Sequence, residues 1–443
     1  MTIAARFRMS LIAVAVVVLA APSLADGPGL VRTKLENGVA AVVCPRPSRG
    51  LAAVDVWVRA GSALERPGEF GAAHFVEHLL FRGTAQRDSG EADREIEALG
   101  GLLNAGTTRD FAHLFAVLPA ERLPEVLAVM ADVLMASRML DAHVTIERSI
   151  ILDELASALN DPDRGAVESA FRIAWAGTPY SRPVLSFPTD IAKLDRDSIV
   201  AFYRRCYQPE HIVVVVAGEV GLNATIEAVK STFGTIMGAG GTPALPDVAR
   251  AMPDGAPTPE PGPVYGPVRT TPRPGAASEE IWAWRLGRRD IRDAFAAELL
   301  AAVIEGALSS AKSPQTAGEP TSGIRAEFIP LAHGGLLYIA AAVGASGQGI
   351  SPALIEAVVR RLAADGPTDG EVELARRRVL GRSLFRQETC AGLARELGLW
   401  AMLGDAEAPM NIGSRLKQIG RQDLKAYAAR WLGAVTAREG QQP

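Results

Sequence analysis

Gly71-Ala72-Ala73-His74-Phe75-Val76-Glu77-His78-Leu79-Leu80-Phe81 sets two imidazoles and a carboxylate inside an otherwise apolar run. The apolar flanks predict a helix. Residues i, i+3 and i+4 share one helix face, so His74, Glu77 and His78 project together. Histidines one turn apart can grip a single metal ion, with Glu77 beside them. They can also form a surface or core pair, so the stretch needs a second anchor. A zinc centre that does chemistry takes three protein ligands and keeps a fourth position open.

A candidate anchor lies downstream. Asp141 to Leu155 reads as a second helix, on which Glu147 and Glu154 stand two turns apart on one face. Glu154 follows His78 by 76 residues. Asp153 points about 100° away from Glu154 around the helix, which makes it a poor ligand. His113 and His143 read as structural.

The order H-x-x-E-H is the inverted zinc-protease signature. Together with Glu147-Arg148 and then Glu154, and with Gly100-Gly101-Leu102-Leu103-Asn104-Ala105-Gly106-Thr107-Thr108, it makes the chain resemble a known family. That family is the pitrilysin/insulinase-type (inverzincin) zinc metallopeptidases, and the pattern is similar to a bacterial member of the mitochondrial-processing-peptidase kind. The resemblance is close over the first half and holds only in outline over the second.

The resemblance implies an α+β fold of two similar domains, each a mixed sheet with helices packed on it, enclosing a peptide-binding cavity. It implies one Zn²⁺ per chain, held by His74, His78 and Glu154. Glu147 then orients a ligand histidine by accepting its other N–H; its alternative role is a surface partner for Arg148 or Arg138. Glu77 serves as general base toward a metal-activated water and passes the proton to the leaving amine. Asn104 and Ala105 fall where the family's edge strand pairs with an extended peptide, which binds backbone and tolerates many sequences. Asn104 is also placed to hold the scissile carbonyl.

The 443 residues exceed one ordinary core, and 48% hydrophobic with 22% charged residues is a globular composition. A formal charge of −4 with no basic block argues against nucleic-acid binding. Arg6 and Arg8 precede an apolar run from Leu11 to Ala21, and Ser23-Leu24-Ala25 supplies small residues for a cut before Asp26. Residues 1–25 therefore read as a signal peptide of an exported, periplasmic protein. The run is short for a membrane span, which needs ~20 residues. Removing Arg6 and Arg8 takes the charge from −4 to −6. Cys44, Cys206 and Cys390 are scattered and read as small core residues, with a single disulfide between some two of them as the alternative.

Asn37-Gly38 between apolar runs predicts a hairpin. Strands are expected at Val54–Val58, Leu102–Thr107, Phe111–Leu118 and, centrally, Ile212–Ala217. Helices are expected around Glu91–Leu99, Ala120–Ser137, Arg196–Arg204 and Asn223–Phe233. The zinc-binding domain thus covers residues 26–237. Residues 238–278, rich in Pro and Gly, read as a linker, and 279–443 as the second, peptidase-like domain. Its elements are a first strand at Glu280–Leu286, a helix at Ile291–Ala307, a strand at Leu336–Val343, and helices at Pro352–Ala364, Gly370–Thr389 and Asp423–Leu432.

One family feature is missing. Self-sufficient members carry an arginine and a tyrosine in the second domain, in a pattern like L-R-x-x-x-G-x-x-Y. The matching region here, Ser309 to Gly323, has neither in register, and Arg325 and Tyr338 are wrongly spaced. The chain is therefore expected to be the zinc-bearing half of a heterodimer whose sister supplies both groups, with a homodimer using other residues as the alternative. A reading from another class is a non-catalytic scaffold or chaperone-like subunit that keeps the fold.

Overall fold

A computed structural model describes residues 29–158, 162–236, 265–270, 278–288, 290–311, 324–343 and 351–432. The expected signal peptide lies outside them, as do most of the expected linker and residues 312–323.

The Asn37-Gly38 turn joins β1 (Val31–Lys34) to β2 (Ala40–Pro45), with Val31 opposite Val43. The first half continues with β3 (Leu51–Val58), α1 (Ala72–Leu80), α2 (Glu91–Ala98), β4 (Leu102–Thr107), β5 (Ala112–Pro119), α3 (Leu123–Ala136) and α4 (Asp141–Ala158). It ends with α5 (Pro162–Ala174), α6 (Pro188–Ile191), α7 (Arg196–Cys206), β6 (Ile212–Gly218) and α8 (Leu222–Thr232). The six strands form one mixed sheet in the order β1-β2-β6-β3-β5-β4. The continuous apolar run of β6 suits its interior place, parallel to β2 and antiparallel to β3. Among the described residues β4 pairs with β5 alone, so its other side is a free sheet edge.

The second half contains β7 (Tyr265–Thr270), β8 (Ser278–Leu286), α9 (Ile291–Ser310), β9 (Ile324–Leu331) and β10 (Gly334–Val343). The helices α10 (Pro352–Ala364), α11 (Asp369–Arg386), α12 (Cys390–Met402), α13 (Ile412–Lys417) and α14 (Arg421–Leu432) follow. Its antiparallel sheet runs β7-β8-β10-β9. This corrects the expected linker: β7 lies inside 238–278 and, not the segment from Glu280, is the first described strand of the second half. A strand with a proline and few alternating apolar residues carries little periodic signal of its own; its pairing with β8 makes it a strand.

The halves exchange helices. One sheet face of the first half packs on its own helices through Val54, Val56, Val58, Leu114 and Ala116. The opposite face, with Ala53, Trp57, Val215 and Ala217, is covered by α12 from the second half. Reciprocally, Ala170, Phe171 and Trp175 at the end of the first half's α5 lie on Ile281, Ala283, Leu336 and Tyr338 of the second sheet. Polar bonds cross the same seam. Asp110, in the turn between β4 and β5, accepts from the Tyr180 hydroxyl at 2.6 Å and from the Ala332 N–H of the β9–β10 turn at 2.9 Å.

Gly398 of α12 lies against Trp57, and a Cβ there would come within 2.0 Å of the indole nitrogen. Gly398→Ala is expected to destabilise by about 1–3 kcal/mol through overpacking. Gly381→Ala, on the exposed side of α11 with nothing within 4 Å, is expected to stabilise by about 0.5–1 kcal/mol through helix propensity. Urea unfolding midpoints of the two variants should therefore move in opposite directions.

Candidate metal centre

Gly71 caps the start of α1, and its φ of 98° and contact with Ile191 exclude a side chain; a Cβ would sit 2.4 Å from the Ile191 methyl. No side chain of the N-cap residue satisfies the first turn. Glu65 does so instead, accepting from the Ala73 N–H at 3.0 Å. Phe75, Val76, Leu79 and Leu80 bury the helix in the core. His74 and His78 are thereby held on the face toward α4, while Glu77 reaches β4.

α4 buries the stripe Val144, Glu147, Ile151 and Leu155. A carboxylate in that apolar stripe marks Glu147 as a paired residue; only 1% of its side chain is exposed. Glu154, two turns on, is 38% exposed and opens the site to solvent.

His74, His78 and Glu154 come together as expected. His74 Nε2 lies 3.3 Å from His78 Nε2, and Glu154 Oε2 lies 3.4 Å and 3.5 Å from the two nitrogens. Zinc bonds of about 2.0–2.2 Å at tetrahedral angles set ligand atoms about 3.3–3.6 Å apart. The donor set and its spacing therefore fit zinc with a fourth position open. Among the described residues this is the one cluster of three or more side chains able to hold a metal.

The electrostatics agree with a cation site. Burial, then the neighbouring His78, lowers the His74 imidazole to about 4, leaving it neutral. Burial alone would lower His78 too, but its hydrogen bonds to Glu147 and then Glu154 raise it to about 9. Two carboxylates thus face a charge that a metal ion would replace. His78 Nδ1 donates to Glu147 Oε2 at 2.8 Å, which turns its Nε2 toward the other two donors. Arg82 occupies the second oxygen of Glu147. The alternative partners, Arg148 and Arg138, do not take it: Arg148 binds the Ile191 and Leu194 carbonyls instead.

Glu77 stands apart from the ligand set. Burial raises its carboxyl above the ordinary range, and its hydrogen bond from Thr107 opposes the shift. Thr107 lies at the end of the free edge strand β4, so the edge and the acid are joined directly. Asn104 is exposed on that strand and turns its Oδ1 onto the Ala105 N–H at 2.8 Å, while Ala105 packs toward the core. His113 is buried and bonded to Asp55 at 2.9 Å, stacked between Trp57 and Phe115, away from the three donors. All three cysteines are buried and free.

Four contributors were not read from the sequence. Arg82 follows His78 by one helical turn, so the i+4 spacing could have found it. Thr107 lies in the Gly100–Thr108 stretch, whose pattern names no partner for it. Arg164 of α5 stands 3.8 Å from Glu154 Oε1, and nothing local signals that contact. Glu65 is set by the loop before α1.

Glu65 also carries a pH dependence. Burial raises its carboxyl from 4.5 to about 8, against the pull of the Ala73 and Gly71 amides. Between those values the folded chain keeps a proton that the unfolded chain has released. Its contribution to stability therefore falls as pH rises from 4.5 to about 8. Glu65→Gln keeps the acceptor for Ala73 but has no charge to bury. In metal-free protein its thermal midpoint is expected to exceed that of the parent at the upper end of that window, with little difference at the lower end.

Residues 42–186 match the profile described as Insulinase (Peptidase family M16), and residues 193–379 match that described as Peptidase M16 inactive domain. An uncharacterized zinc protease of Mycobacterium tuberculosis is 31% identical over 226 residues, covering 51% of this chain and 52% of the relative. A probable mitochondrial-processing peptidase subunit beta of Arabidopsis thaliana is 30% identical over 201 residues, covering 45% of this chain and 38% of that protein. The chain thus spans about half the length of the first relative and less of the second. The crystal structure of a protease from Helicobacter pylori superposes with a TM-score of 0.76 at 21% identity, covering 90% of this chain and 96% of that one. At that identity it supports the fold alone.

Proposed function

Because the chain belongs to the insulinase (M16) family of peptidases, we propose that it is a zinc-dependent endopeptidase acting on peptides or unfolded polypeptide segments. The observation that carries this reading is the set of three donors 3.3–3.5 Å apart with Glu77 beside them. A bound zinc ion would supply Lewis acidity, polarising the scissile carbonyl and acidifying water at the site. Glu77 takes the proton of the attacking water and returns it to the leaving amine. Its raised basicity suits that role, and Thr107 holds it in place. The free side of β4 receives the substrate as an added strand, with Asn104 and Ala105 along it.

The chain is the zinc-bearing subunit of a heterodimer, acting after export to the periplasm. What supports the pairing is that the sequence from Ser309 to Gly323 holds neither an arginine nor a tyrosine, and that Tyr338 is buried on β10 and gives its hydroxyl to Glu327 at 2.7 Å. A sister chain would complete the site with an arginine and a tyrosine. The test is cleavage of a mixed pool of unstructured peptides by purified residues 26–443, with zinc and after chelation. Chelator-sensitive cleavage by this chain alone keeps the peptidase and overturns the obligate heterodimer. Bound zinc without cleavage supports the missing sister. A chain that binds no zinc overturns the whole reading and leaves the scaffold role.

A further inference from the structure

A small cavity lies behind Glu77, walled by Glu77, Leu80, Leu114, Leu134, His113 and Tyr207, with room for a single water molecule. Tyr207, at the end of α7, is 3% exposed, and its hydroxyl makes no hydrogen bond to any described protein atom. A buried phenol without a partner costs stability. The other polar wall groups are the Glu77 carboxylate and the His113 ring, whose Nδ1 is already engaged by Asp55. The Leu134 carbonyl next to the cavity is taken by Tyr203.

We propose that Tyr207 is a positioning residue for Glu77: one water in this cavity accepts from the tyrosine hydroxyl and donates to the carboxylate. The bridge satisfies the orphaned hydroxyl and gives Glu77 a second fixed donor besides Thr107. The two donors approach from different elements, β4 and, through the water, the end of α7, so the carboxylate cannot swing without breaking one of them. Burial, followed by the nearby Tyr203, Cys206 and Glu77 groups, keeps the phenol well above its ordinary range, so it remains a donor wherever the protein is folded. The bridge is a property of the fold; its effect on turnover rests on the peptidase reading.

The two parts are tested separately. In metal-free protein, urea midpoints are measured for the parent, Tyr207→Phe, Glu77→Gln and the double variant. The bridge predicts that Tyr207→Phe lowers the midpoint, and lowers it less when residue 77 is neutral, because the charge-assisted bond is already weakened. A midpoint that rises overturns the bridge and shows a dry, unsatisfied hydroxyl, and an equal shift in both backgrounds overturns the bridge because the hydroxyl is then uncoupled from Glu77. A high-resolution crystal structure of the parent should show the water, and its absence there overturns the bridge as well. In the zinc-loaded protein with any partner it requires, Tyr207→Phe is expected to lower kcat about tenfold with KM and zinc content unchanged. Coupled midpoints with unchanged kcat in an active enzyme overturn the positioning role. Coupled midpoints in a chain that cleaves nothing under any condition count against the peptidase reading and leave the bridge standing.

Discussion

Glu77→Gln is expected to reduce peptide turnover by about 10²–10⁴-fold, the usual contribution of a positioned general base. Glutamine keeps the size of the side chain and can still accept from Thr107, so packing around α1 is retained. It has no basicity to take a proton from water. Glu77 is not among the three clustered donors, so zinc content should remain that of the parent. Metal analysis and steady-state kinetics on the same preparation decide the matter. Loss of both metal and activity would mean that Glu77 is itself a ligand. Retention of both would remove the general base from the mechanism.

The second large effect is expected at a residue that touches no metal. Glu147→Gln should weaken zinc binding by about 10–100-fold, the usual consequence of losing the group that orients a ligand histidine. The amide oxygen can still accept from His78 Nδ1, but the negative charge is gone from a nearly fully buried position and Arg82, itself partly exposed, loses its ionic partner. His78 then has less reason to present Nε2 to the other donors. Competition with a chromogenic chelator measures the change. Parent-like affinity would show that the packing of α1 alone orients His78.

Most of the first half was legible because its signals are local. The alternation in β3, the apolar run of β6 and the Asn37-Gly38 turn each name an element within a few residues. The three clustered donors were legible for a related reason: His74 and His78 share one helix, so helical spacing is informative, while Glu154 needed the family pattern to connect it. What the sequence hid is set by contacts between distant segments. α5 opens at Pro162 with Gly165 close behind, a start that reads as a loop, although proline suits the first helical turn. α12 contains Gly392 and Gly398, which weaken a helical reading, yet Gly398 is what lets the helix lie on Trp57. Arg164 and Tyr207 join the site only through tertiary packing, about which one-dimensional spacing is silent. The roles of Asn104 and Ala105 in gripping a substrate stay with the proposal.

The exchanged helices mean that the halves are not separable modules. A protein without residues beyond 236 would leave Ala53, Trp57, Val215 and Ala217 uncovered on its sheet, and the remainder would lose Phe171 and Trp175 from over Ile281 and Ala283. Neither fragment would keep a dry interior. A chain nicked between residues 237 and 264 should accordingly migrate as one particle and come apart only on denaturation. Two separately expressed fragments should be insoluble apart and recover a fold by complementation when mixed. The half that holds the three clustered donors therefore draws its rigidity from a half that supplies none of them, and a lesion far from that cluster, on α12, can cost the whole fold.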